Sequence, residues 1–157
     1  MKKLIAIVLF SFLFCKGYCQ NPNKIDSLKT RLKTETADTK LQDIYTSLGW
    51  LLKNTDTDSA LFYEKKALVL AKKLKSDKRI AASINHLGVI YWIKGDNNLA
   101  IENTLVALEI YEKLGMEKEV SDEYTNLSLI NSNTKNFTKA TNYALKSINI
   151  REKLKDE

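Results

Sequence analysis

The feature that most constrains this chain is a period near 40 residues. The segment INHLGVIYWIKGDNNLAIENTLVALEIYEKLG, from Ile84, lines up with YTSLGWLLKNTDTDSALFYEKKALVLAKKLK from Tyr45 and with YTNLSLINSNTKNFTKATNYALKSINIREKLK from Tyr124. Leu48, Leu87 and Leu127 align at separations of 39 and 40, and Ala60, Ala100 and Ala140 at 40 and 40. Ala67, Ala107 and Ser147 follow seven positions later in each copy. EKLG at Glu112 and EKLK at Glu152 close the last two copies alike. A fixed period of this length is the mark of one supersecondary unit stacked on the next.

Each unit reads as two helices. Ile84, Leu87, Ile90 and Tyr91 recur at i, i+3, i+6 and i+7, an apolar stripe at helical spacing. Lys94-Gly95-Asp96-Asn97 interrupts it with residues that tolerate a left-handed turn. Leu99, Ala100, Leu105, Leu108, Ile110 and Tyr111 carry a second apolar face, which Gly115 ends as a helix stop. Asp58 and Asp77 are expected to cap the helices that follow them. Gly88 and Ala100 are expected where paired helices cross, because a bulky side chain there would force the axes apart. A short amphipathic helix over 24–36, with Ile25, Leu28 and Leu32 on one face, leads the repeats. The expected total is seven helices, the last running from about Phe137 to Lys155. A hydrophobic fraction of 44% supports a core, while one Pro and five Gly leave little punctuation for a many-stranded fold.

The pattern resembles the tetratricopeptide repeat, W-x2-L-G-x2-Y followed by A-x3-F, A and P. Unit two matches at Leu87, Gly88, Tyr91, Ala100 and Ala107, with Ile84, Thr104 and Glu112 at the Trp, Phe and Pro positions. Unit one matches at Leu48, Gly49, Ala60 and Ala67; unit three keeps Leu127 and Ala140 but has Ser128 for Gly and Asn131 for Tyr. The resemblance covers residues 43–155 and is to a long-repeat variant, with a period of 40 instead of 34. It implies an all-α fold, a right-handed α-solenoid of antiparallel helix pairs: three such repeats plus the leading helix. The expected organisation is a signal peptide over 1–19, a leading segment over 20–38 and a repeat domain over 39–157, its units spanning about 42–77, 81–116 and 121–157.

The N-terminus reads as an export signal. Lys2 and Lys3 form a positive start, and Leu4 to Phe14 is apolar except for Ser11. Eleven residues suit a signal core, whereas a membrane span needs about 20. Gly17-Tyr18-Cys19 places small residues at the −3 and −1 positions, so cleavage is expected before Gln20. A lipoprotein is the alternative, though Phe14 and Tyr18, not small residues, precede Cys15 and Cys19. Cleavage would remove both Cys and with them disulfides, thiolate catalysis and thiolate metal sites. The expected destination is the periplasm or the exterior, with no membrane span after cleavage. Without Lys2, Lys3 and Lys16 the net charge of +6 falls to +3, a mixed surface that gives no case for nucleic acid.

The sequence offers no catalytic constellation. His86 is the single histidine, and its neighbours Asn85 and Leu87 supply no partner by spacing, so it reads as a helix-surface or groove residue. Asn54 to Ser59 has the oxygens of a calcium loop, but Ser59 stands where Gly is needed and Lys65 where Glu is needed. Glu117 and Glu119 are two apart and do not face each other on a helix. No cofactor, metal ligand set or enzymatic activity is expected, and the phosphate, hydrolase and zinc motifs are missing.

The expected function is a non-catalytic interaction module that binds a protein or peptide on the concave face of the repeats. The resemblance places groove positions at Thr46, Asn85 and Thr125, then Trp50, Val89 and Leu129, then Lys53, Trp92 and Ser132. The first set is a row of hydrogen-bonding side chains beside an apolar rail, and Trp50 and Trp92 are the candidate anchors. The alternative places both Trp in the core between repeats. A second functional reading is the extracytoplasmic sensory portion of a bacterial signalling receptor, such as a repeat-containing histidine kinase or transcriptional regulator. On the last helix Tyr143, Ile150 and Leu154 share a stripe expected to be uncovered, which would support a homo-oligomer or a downstream domain.

Overall fold

A computed structural model describes residues 22–155. The export segment expected over 1–19 and the cleavage site before Gln20 lie outside these residues. The described residues form seven α-helices and no strand: α1 Pro22–Leu32, α2 Asp38–Leu52, α3 Thr57–Lys73, α4 Asp77–Lys94, α5 Asn97–Lys113, α6 Glu117–Asn133 and α7 Phe137–Lys153. The leading helix ends at Leu32, short of the expected 36, because Lys33, Thr34 and Glu35 turn back onto the carbonyls of Thr30 and Arg31.

Four of the connections use one backbone device. Lys75, Gly95, Gly115 and Lys135 all have positive φ, at intervals of 20 residues. The residue after each donates its N–H to a carbonyl five positions back: Ser76 to Ala71, Asp96 to Tyr91, Met116 to Tyr111 and Asn136 to Asn131. This is the left-handed helix stop that satisfies orphan carbonyls and reverses the chain within two or three residues. Glycine removes the Cβ conflict at two of these sites; lysine accepts it at the other two. The caps at the following helices differ from expectation. Asp56, not Asp58, caps α3 by accepting from Ser59 N at 3.0 Å, and Ser76, not Asp77, caps α4 by accepting from Arg79 N at 3.5 Å. Asp58 and Asp77 lie in the first turn, one or two residues past the cap, where their charge suits the helix dipole.

Each helix packs on its neighbours in the chain, and α2 also touches α4, as α4 touches α6. Leu28 of α1 joins Ile44 and Leu48 of α2. Leu52, Ala60, Leu61, Leu87 and Ile90 join α2, α3 and α4. Ala81, Ala107, Leu108, Tyr111, Val120 and Leu127 join α4, α5 and α6. The aligned alanines Ala60, Ala67, Ala100 and Ala107 are all fully buried, so the repeat register is a register of close helix contacts. A Cβ on Gly88 would come 3.0 Å from Thr104 Oγ1 and 3.3 Å from the Ala100 carbonyl. Ser128 takes the equivalent place in α6 by donating its hydroxyl to the Ala140 carbonyl at 2.8 Å.

Candidate functional site

The hydrogen-bonding row expected at Thr46, Asn85 and Thr125 is half-buried and engaged within the protein. Thr46 accepts from Gln42 Nε2 at 3.1 Å, and Gln42 also accepts from Arg79 of α4, which pairs with Asp43. Asn85 is within hydrogen-bonding reach of the Tyr111 hydroxyl and the Glu123 carboxyl. Thr125 donates to Ser121 O at 3.1 Å, lies 2.9 Å from Ser147 Oγ and accepts from Arg151 at 3.2 Å. These side chains tie neighbouring helices together, which leaves them little capacity for a ligand backbone.

The apolar rail is open. Trp50 is 42% exposed and Leu129 47%, while Val89 between them is half-buried. Val89 and Leu129 line a narrow hollow together with Trp92, Thr104, Asn126 and Ile130. The two tryptophans therefore differ. Trp50 presents its ring to solvent; Trp92 is half-buried, with its Nε1 enclosed and without a hydrogen-bond partner among the described residues. Lys53 reaches back over the Trp50 ring, its Nζ 3.9 Å from the centroid, and Ser132 is exposed.

Beneath the rail lie ionisable groups that spacing along the chain does not reveal. Glu64 of α3 is fully buried, and its Oε1 sits 3.3 Å from His86 Nδ1. The His86 ring is 4.9 Å from the Trp50 ring, tilted by 35°. Burial pushes the Glu64 carboxyl above its ordinary range, opposed by His86 and Ser83. Glu123 of α6 is also fully buried and is pushed up to about 8, mainly by burial, with Asn126 and Asn85 opposing. The Tyr111 hydroxyl is raised by burial and then by the nearby Glu123. The sequence clue to Glu64 is its place four residues after Ala60, on the inner side of its helix.

The stripe expected to be uncovered on α7 is covered. Tyr143 and Ile150 pack against the cluster of α5 and α6, with Tyr143 stacked on Tyr124 at 6.0 Å, and Leu154 is half-buried. The exposed apolar residues of α7 are Phe137 (64%), Leu145 (52%) and Ile148 (48%), on the opposite flank. The spacing i, i+7 and i+11 groups these residues on one face as expected, but the face is half-buried because its side chains reach Tyr124 and the α5–α6 cluster.

These features define an all-helical, repeat-like protein with an exposed apolar rail laid over buried polar groups. Its solved structural neighbours include BtubC (BKLC) from P. vanneervenii, with a TM-score of 0.68 and 24% identity over 74% of this chain and 48% of that one. The chain thus spans about half the length of that protein, and the likeness is one of fold. No protein-family profile and no curated protein sequence matches the chain.

Proposed function

We propose that this chain is an exported, non-catalytic interaction module, a right-handed solenoid of three tetratricopeptide-like helix pairs that binds a polypeptide along its inner face. The observation that carries this reading is the rail of Trp50, Val89 and Leu129, one residue from each unit at the same register position, open at Trp50 and Leu129 and half-buried at Val89. An aromatic side chain held on a rigid helix, as Trp50 is, loses little entropy on binding and can anchor an interface, while aliphatic neighbours such as Val89 and Leu129 exclude water around it. The engaged Thr46, Asn85 and Thr125 stiffen that surface instead of meeting the ligand backbone. The recurrence of helices and turns supports the solenoid arrangement.

The sensory portion of a signalling receptor is the second reading. It draws on the exposed flank of α7, where Ile148 is open although Leu108, 40 residues earlier, is buried against Val120 and Leu127 of α6. The test is affinity capture from the cell envelope with the mature chain, run beside Trp50→Ala and Leu129→Ala. A partner retained by the parent and lost by both variants, with their helicity unchanged, supports the groove. Equal capture by all three sinks it.

A further inference from the structure

Three residues at the junction of units one and two break the repeat register together. Glu64 stands where units two and three have Thr104 and Ala144; His86 stands where units one and three have Ser47 and Asn126; Trp50 stands where the later units have Val89 and Leu129. They come from α3, α4 and α2, yet they converge. The Glu64 carboxylate meets His86 Nδ1 at 3.3 Å, the imidazole lies 4.9 Å from the indole, and Lys53 Nζ lies 3.9 Å over that indole. The fold has no need of a carboxylate there, since Thr104 and Ala144 fill the same place in their units. Burying one costs stability unless it is paired and hydrogen-bonded. The approach to His86 is close in distance but poorly aligned, and neither carboxylate oxygen has a well-formed hydrogen bond among the described residues. Gly49 makes room for it: a Cβ there would sit 2.8 Å from Glu64 Oε2.

We propose that Glu64 and His86 are a positioning pair for the groove, the buried carboxylate holding the imidazole on which the Trp50 indole is presented to a partner. The pair rests on the reading of the inner face as a binding surface, and it explains why the most exposed aromatic of that rail has a defined orientation. Burial disfavours the charged carboxylate, and the imidazole is the first group that offsets this, with the Ser83 hydroxyl second. Glu64 acts through His86, so losing either should free the same ring.

Trp92→Phe leaves Trp50 as the single indole, and its emission maximum and acrylamide quenching then read the stack directly. In that background His86→Ala and Glu64→Ala should each red-shift the emission and raise the quenching constant, with no further change when combined. Glu64→Gln, which keeps a hydrogen-bonding partner for the imidazole, should restore the parent signal. Far-UV circular dichroism identifies variants that fail to fold; for these His86→Asn, the residue unit three carries at that position, replaces the alanine. Unchanged Trp50 emission and quenching in a folded His86 variant overturns the pair, as does a Glu64→Ala effect that adds fully to that of His86. No partner enters this measurement, so its failure leaves the groove to the capture assay, and failure of capture leaves the stack standing.

Discussion

Glu123 shows how one residue couples this fold to pH. It is fully buried, one oxygen accepts from Asn126 at 3.4 Å, and the other has no well-formed hydrogen bond among the described residues, Asn85 lying nearby. Its carboxyl is raised from 4.5 to about 8. A carboxyl raised by folding contributes its full stability below its unfolded value and loses it as pH climbs through the folded value. Stability from this group is therefore complete below 4.5 and is lost between there and about 8. Glu123→Gln removes that loss. Variant and parent should unfold alike near pH 4, and by pH 9 the variant should be more stable by roughly 2–4 kcal/mol. Denaturant titrations at the two pH values check this; a parent that matches the variant at high pH would overturn it. Glu64, raised in the same direction, adds to the same alkaline loss.

Helix crossings set the next scale. Gly88 lets α4 approach the Ala100 carbonyl of α5, and no side chain fits without moving Thr104 or the backbone. Gly88→Leu should cost roughly 1–3 kcal/mol or more through overpacking. Ser128→Leu should cost less, because α6 and α7 already accommodate a side chain at that crossing and only the 2.8 Å bond to Ala140 is lost. Melting temperatures of the two variants give the ranking, and equal melting of wild type and Gly88→Leu would contradict the crossing. On α7 the two flanks make opposite predictions. Leu145→Lys with Ile148→Lys touches exposed positions and should change stability by about 0.5 kcal/mol or less. Tyr143→Lys with Ile150→Lys breaks packing on Tyr124 and the α5–α6 cluster and should cost roughly 1–3 kcal/mol. If α7 mediates self-association, light scattering should show it abolished by the first pair at unchanged helicity. The inner seam of α7 is polar. Ser147 Oγ donates to Ser121 O at 2.9 Å, and Arg151 binds Ser121, Asp122 and Thr125 where units one and two have Ala71 and Tyr111.

Among the described helices, contacts run mainly between chain neighbours, so a lesion in the middle unit removes support from both sides. Gly88→Leu should therefore lower the helical signal by more than one helix pair. The described helices include none long and apolar enough to cross a membrane. Mass spectrometry of the protein recovered from its host should find a chain beginning at Gln20; a diacylglycerol-modified Cys or an intact Met1 would overturn the export expectation.

Period and small residues were legible in the sequence because they are properties of a chain read along its length. Alanine or glycine recurring every 40 residues, with apolar side chains at helical spacing, implies paired helices, and among the described residues six helices of 15–18 residues follow a leading helix of 11. Register groups Trp50, Val89 and Leu129 but does not decide their exposure, since Val89 is half-buried where Trp50 and Leu129 are open. Caps were misassigned by one or two residues, since Asp56 and Asp58, like Ser76 and Asp77, are equally good candidates until the backbone turns. What only the tertiary structure decided is who meets whom across helices. Glu64 and His86 are 22 residues apart and share no motif, and Asn85, Tyr111 and Glu123 come from three helices. The flank of α7 that is covered was settled the same way. Helical periodicity says which residues share a face; the angle at which the next helix crosses determines whether that face is buried.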